Sequence, residues 1–280
     1  MNIYGISDLH LSGNPPYKNM EHFGTQYTDY IKRMEIGFKA LPSNSWVINA
    51  GDISWAINRE EALQDLLWLD SFGINFLHTI GNHDYFWGKK SAEFMYNWAV
   101  SCGLKHTYFV DHQKLFEIGN EFGKISVAAT KGVETYAQLE LELDISKLPP
   151  GHQKSVAVVP KYWEKYKRRL TMIATELKPN ILVSHIPPFK YDGTPNELTE
   201  IIYKSSIKMV LFGHRHKAPA LPSDLGCIKD IIWHNLLAER CNFTPRLLGA
   251  VEEYGTCVLY GGNIPIPDNS SALCGRGVDN

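Results

Sequence analysis

Cysteine is scarce in this chain: five in 280 residues, at Cys102, Cys227, Cys241, Cys257 and Cys274. They are odd in number, widely scattered and free of C-x-x-C spacing, which argues against a disulfide framework and against a zinc finger. A long apolar run is missing as well; nothing approaches the roughly 18 residues that span a bilayer. Neither sign of charge dominates, since 28 Lys and Arg stand against 30 Asp and Glu for a net −2. No global field therefore draws the chain to nucleic acid or to an anionic membrane, and any such partner needs a local patch. A cleaved leader would remove Asp8 and His10, which matter below. Together these features lead to the expectation of a cytoplasmic protein with no membrane partner.

What is present is an ordinary globular composition, 44% hydrophobic and 21% charged, in a chain long enough to bury a large core. Short apolar segments alternate with amphipathic ones, the α/β pattern. Residues 3–7, 46–50, 74–80, 125–130, 181–184 and 208–212 read as buried strands. Helices are expected at 19–41, 59–72, 89–101, 160–178 and 196–205. Asn58 is placed to cap the second, with Glu61 three residues on, and Gly103 to stop the third. Segments 106–110 and 113–119 suggest a hairpin around Asp111-His112, and 224–243 looks partly helical. An acidic stretch at about 133–155 reads as a surface insertion in a single domain, 1–261, with 262–280 as an extended or mobile tail.

The chemistry gathers at the carboxyl ends of the expected strands. The first ends in Asp8-Leu9-His10, the second in Gly51-Asp52, the third in Gly81-Asn82-His83-Asp84, the fifth in Ser184-His185 and the sixth in Gly213-His214-Arg215-His216. In an open α/β sheet that edge is where ligands bind. Carboxylate, imidazole and amide oxygen all ligate divalent first-row metals. Seven such groups are too many for one ordinary site and enough for two ions sharing a bridge, for which Asp52 offers two oxygens.

The ordered pieces "SDLH", "AGD", "GNHD", "SHIPP" and "FGHRH" resemble the calcineurin-like metallophosphoesterases, over roughly residues 1–217. "GDISWAINREEALQDLLWL" with "IGNHDYFW" is similar to a bacterial subgroup described as predicted phosphohydrolases. The resemblance implies a four-layer α/β/β/α sandwich of two mixed sheets. It also implies a first metal on Asp8, His10 and His216, a second on Asn82, His185 and His214, and Asp52 between them. His83 would contact the phosphate and protonate the leaving group, with Asp84 orienting its imidazole. The implied activity is hydrolysis of a phosphoric ester by in-line attack of a metal-bridging hydroxide. Mixed N/O ligands suit Mn²⁺ first, with Fe or Zn²⁺ as alternatives.

"GDISWAI" lacks the arginine of the family's protein phosphatases, and His83 stands where its lipid-precursor hydrolases carry Arg. The expected substrate is therefore a small phosphorylated or nucleotide-like ester, with a phosphodiester ahead of a phosphomonoester. Exonuclease action on DNA or RNA and a non-catalytic metal-binding scaffold are the alternatives. Three further features carry weaker signals. Tyr85-Phe86-Trp87 could stack on a substrate ring or pack in the core; "KYWEKYKRRL" at 161–170 could track a nucleic-acid backbone or be a solvated amphipathic helix. Lys131-Gly132 could bring a cation to a phosphate or form a turn.

Overall fold

The computed structural model describes residues 1–13, 20–121, 123–133, 150–190, 193–216, 225–251 and 257–260. Two six-stranded sheets lie face to face with helices outside, an α/β/β/α sandwich. Strand β1 (Asn2–Ile6) pairs in parallel with β2 (Trp46–Asn49), then β3 (Asn75–His78) and β4 (Thr107–Phe109). On its other side β1 meets β11 (Arg246–Val251) antiparallel, and β12 (Cys257–Leu259) closes that edge. The second sheet runs β5 (Phe116–Gly119), β6 (Lys124–Thr130), β7 (Ile181–Ser184), β8 (Met209–Phe212), β10 (Ile231–Asn235) and β9 (Leu225–Ile228). β6, β7, β8 and β10 are parallel, whereas β5 and β9 are antiparallel edges.

Alternation along each strand builds three apolar layers. Ile3, Ile48, Leu77, Val183 and Leu211 point between the sheets. Their neighbours Ile6, Val47 and Phe76 face the helices α1 (Tyr30–Lys39), α2 (Arg59–Asp70) and α3 (Ala92–Ser101). Leu182, Val210 and Phe212 meet α4 (Pro150–Met172) and α5 (Glu197–Tyr203) on the far side. Among the described residues no helix is long and apolar enough to cross a membrane.

Several local expectations hold. The Asn58 side chain accepts the Glu61 N–H and opens α2, and Gly103, at φ 85°, follows the end of α3. Others change. The first helix begins only at Tyr30, because Gly24 at φ 148° and Asp29 at φ 52° break the run into two short 3₁₀ turns. The fourth begins ten residues earlier, at Pro150, and ends in a π turn, Ile173–Leu177. Residues 134–149 of the acidic stretch and the tail 262–280 lie outside the described residues.

The hairpin expected around Asp111-His112 does not form. β4 joins the first sheet and β5 the second, so this segment crosses from one to the other. Asp111 fixes the crossing: its carboxylate accepts the N–H groups of Ala92 and Gln113, and its carbonyl accepts that of Ala129. Residues 224–243, expected to be partly helical, form the hairpin β9–β10 from Leu225 to Asn235. Lys229 and Asp230 turn it at φ 51° and 61°, the left-handed pair a two-residue turn needs. Only Ala238–Cys241 is helical, as one 3₁₀ turn.

Candidate metal centre

The loops after β1 and β2 run on together beyond their strands. Asp8, His10 and Leu11 donate their backbone N–H groups to the carbonyls of Gly51, Asp52 and Ile53, and Trp55 returns one to Leu11. Asp8, His10 and Asp52 in these loops, with His214 after β8, hold φ between 47° and 71°. Non-glycine residues in that region cost on the order of 1–3 kcal/mol and cluster where function requires them.

Three glycines make room. A Cβ on Gly213 would sit 2.1 Å from both Asp8 Oδ2 and Ser7 Oγ; one on Gly81, 2.0 Å from Asp52 Oδ1; one on Gly51, 2.6 Å from His185 Nδ1. The glycines of G-D, G-N-H-D and G-H-R-H are thus spacing devices for the polar groups beside them.

The side chains converge as two clusters. Asp8, His10 and His216 form one: His216 Nε2 lies 3.3 Å from Asp8 Oδ1 and 3.1 Å from His10 Nε2. Asp52, His185 and His214 form the other, and Asn82 joins it with Oδ1 at 2.8 Å from His185 Nε2. Asp52 faces both, with Oδ1 3.4 Å from His185 Nε2 and Oδ2 4.0 Å from His10 Nε2. His185 Nδ1 bonds the Ala50 carbonyl at 2.9 Å, which turns its Nε2 inward.

The electrostatics favour added positive charge. Burial works to raise the Asp8 carboxyl, but the hydrogen bond from His216 and the charges of His185, His216 and His10 hold it far below the ordinary range. Asp52 is lowered to about 2, burial again being outweighed, here by His185. Burial opposes protonation of His185 and His216, yet the carboxylates around them raise these to about 9 and about 10. His10 falls to about 4, because burial there outweighs the pull of Asp8 and Asp52. Oxygen and nitrogen donors gathered around two buried carboxylates suit divalent first-row cations, which would take the place of the protons on His185 and His216.

His83 stands at the rim. Its ring packs 4.4 Å from Trp55 and 5.4 Å from His10, and its backbone N–H bonds Asp52 Oδ1 at 2.8 Å. Asp84 works mainly on the backbone: its buried carboxylate accepts the N–H groups of Gly81, Asp52, Ile53 and Ser54 at 2.7–3.2 Å. Among these contacts Asp84 meets the backbone of two loops, the second of which carries His83. Burial and the Asp52 charge push Asp84 up to about 7 against the pull of these amides.

Of the aromatic triplet, Phe86 and Trp87 are core, while Tyr85 is exposed. Of the aromatics in the basic segment, Trp163 and Tyr166 are buried in the outer helix layer, whereas Tyr162 is exposed. Lys131 gives its carbonyl to the Ile186 N–H, and Gly132 turns at φ 86°. Sequence reasoning missed three neighbours. Trp55 sits against His10 and His83, while Tyr27 and Glu239 hydrogen-bond near His216. No motif marks them.

Two mixed sheets in a four-layer sandwich, with two His/Asp clusters joined by one carboxylate at their carboxyl ends, define a dinuclear metallophosphoesterase architecture. Residues 1–218 match the family described as calcineurin-like phosphoesterase. The chain belongs to that family. Among curated proteins none matches the sequence. Among solved structures, a protein of unknown function from Aquifex aeolicus is similar over 88% of this chain and 95% of its own, at 14% identity and a TM-score of 0.38.

Proposed function

We propose that this protein hydrolyses a phosphodiester with two divalent metal ions, Asp8, His10 and His216 holding one, Asn82, His185 and His214 the other, and Asp52 both. The observation that carries the reading is Asp52, whose two oxygens face His185 on one side and His10 on the other. Two such ions supply a nucleophile at neutral pH and clamp the oxygens of a phosphoryl group during in-line displacement.

The chain's own residues do the rest. Asp84 fixes the loop from Gly51 to Ser54 against Gly81, so that Asp52 and Asn82 keep one geometry. His83 gives a proton to the departing ester oxygen, a step worth typically about 10²–10⁴ in rate. Trp55 supports the ring that does so.

A diester is favoured over a monoester by the surroundings. Phe23 and Tyr85 are exposed aromatics, and Phe23 stacks on Trp55. They offer an organic substituent a surface to lie on. Arg215, the arginine inside G-H-R-H, is buried and directs its guanidinium to the carbonyls of Phe189 and Lys190, away from a dianionic substrate. Mn²⁺ is our first choice of metal, with Fe or Zn²⁺ compatible with the same donors.

The test is metal analysis of the purified chain together with turnover of a chromogenic aryl phosphodiester and the matching monoester, with Mn²⁺ and with a chelator. Two ions per chain and chelator-sensitive diester cleavage support the proposal. Faster monoester cleavage would reverse the substrate order. Metal without turnover of either would indicate a scaffold.

A further inference from the structure

His216 is the more exposed of the two histidines clustered with Asp8, with 27% of its side chain accessible against 3% for His10, and it lies beyond the end of β8. Something must hold its ring. Glu239 Oε1 lies 2.7 Å from its Nδ1, and the Tyr27 hydroxyl donates to Glu239 Oε2 at 3.2 Å. A carboxylate only accepts, so in the neutral ring that a metal requires the hydrogen sits on Nδ1, toward Glu239, and Nε2, on the side of Asp8 and His10, is the ligating nitrogen.

Both supports are rigidly placed. Leu236, Leu237 and Ala238 are buried, and the Ala238 N–H donates to the Ser7 carbonyl beside Asp8, at 3.0 Å. The 3₁₀ turn that carries Glu239 is thereby docked on the end of β1. Tyr27 is packed between Tyr30 and Phe243, with ring centroids 6.2 and 5.8 Å away. Glu239 lies beyond the family match, which ends at residue 218. In the second cluster it is a backbone carbonyl, that of Ala50, that orients His185.

We infer that Glu239, steadied by Tyr27, is a positioning residue for the first metal site, so that the C-terminal segment sets the affinity of that site and leaves the second unaffected. The inference rests on the two-metal reading above. Carboxylates that orient a ligating histidine in this way typically contribute about 10–100-fold to metal affinity.

The experiment is titration of the full chain with Mn²⁺ alone, reading free Mn²⁺ and the spin coupling of the bound pair by electron paramagnetic resonance. The wild type should bind two coupled ions. Glu239→Ala should bind one at unchanged affinity and the other about 10–100-fold more weakly, so that coupling is lost at intermediate Mn²⁺ while the single-ion signal persists. Glu239→Gln keeps an acceptor oxygen without the charge and should fall between the two, and Tyr27→Phe should weaken the same ion by a smaller factor. Were Glu239→Ala not to fold, the isosteric Glu239→Gln would decide, with wild-type affinity at both sites overturning the inference. So would equal weakening of both ions in either variant. A wild type that binds no Mn²⁺ would overturn the dinuclear reading itself, and the inference with it.

Discussion

Gly213 offers the sharpest perturbation of the centre. Its φ lies outside the left-handed region, so alanine is allowed there by the backbone, and the only obstacle is space. The added methyl would lie 2.1 Å from Asp8 Oδ2 and from Ser7 Oγ, where ordinary contact begins at 3.4 Å. The carboxylate must therefore retreat by about 1.3 Å, into the first cluster, while it also accepts the His214 N–H. Misplacing a reacting geometry by about 1 Å can cost on the order of 100-fold in rate. Overpacking by one methyl costs the fold only about 1–3 kcal/mol.

Gly5 is the matched control. A Cβ there meets the Leu236 and Leu248 methyl ends at 2.7 Å, between the sheets, where side chains can rotate aside. Gly213→Ala and Gly5→Ala should thus lose similar stability in urea titrations. Only Gly213→Ala should lose an Mn²⁺ ion and about 100-fold or more in kcat/KM. Two tightly bound ions and near-normal turnover in Gly213→Ala would refute the claim that this glycine exists to seat Asp8.

His83→Ala should keep both metals and lose about 10²–10⁴ in kcat on an alkyl diester, but much less on a p-nitrophenyl ester, whose leaving group needs no proton; equal losses would count against general acid action. His78 is fully buried, stacked on Phe76, and among the described residues without hydrogen-bond partners at either ring nitrogen. Burial lowers it to about 3 from 6.5, so the unfolded chain takes up a proton first as pH falls below 6.5. Stability present at pH 7 is then lost, by roughly 2–3 kcal/mol at pH 4.5. His78→Leu should show a shallower acid decline in urea midpoints. Asn58→Ala, which removes the cap of α2, should cost about 1 kcal/mol in the same assay without changing metal content.

Strands and site were legible for the same reason: each buried parallel strand is a short apolar run, and each ends in polar residues with no part in a core. Asp8, Asp52, Asn82, His185, His214 and His216 could be placed on one edge from that alone. The path of 110–115 could not, because hairpin and crossover share the same apolar runs, and the choice lies in where Asp111 sends its bonds. Glu239 was illegible for a related reason. It is brought to His216 by the docking of Ala238 on Ser7, a contact 231 residues apart that no local pattern announces. Asp84 was read for its neighbour in sequence, whereas in the structure its carboxylate accepts from four amides in two loops.

Asp8, His10, Asp52 and Asn82 hang from one sheet, whereas His185, His214 and His216 hang from the other. Elsewhere the faces between the sheets are aliphatic, a contact that resists separation well and sliding poorly, because dispersion has no direction. Ions held across that seam would act as rivets, fixing the sheets against shear to within a fraction of an ångström. Hydrogen exchange should register this as slowing that spans both sheets at once, in β1 and β2 together with β7 and β8, when metal is added. The interior would then behave as a laminate whose stiffness is set at one edge.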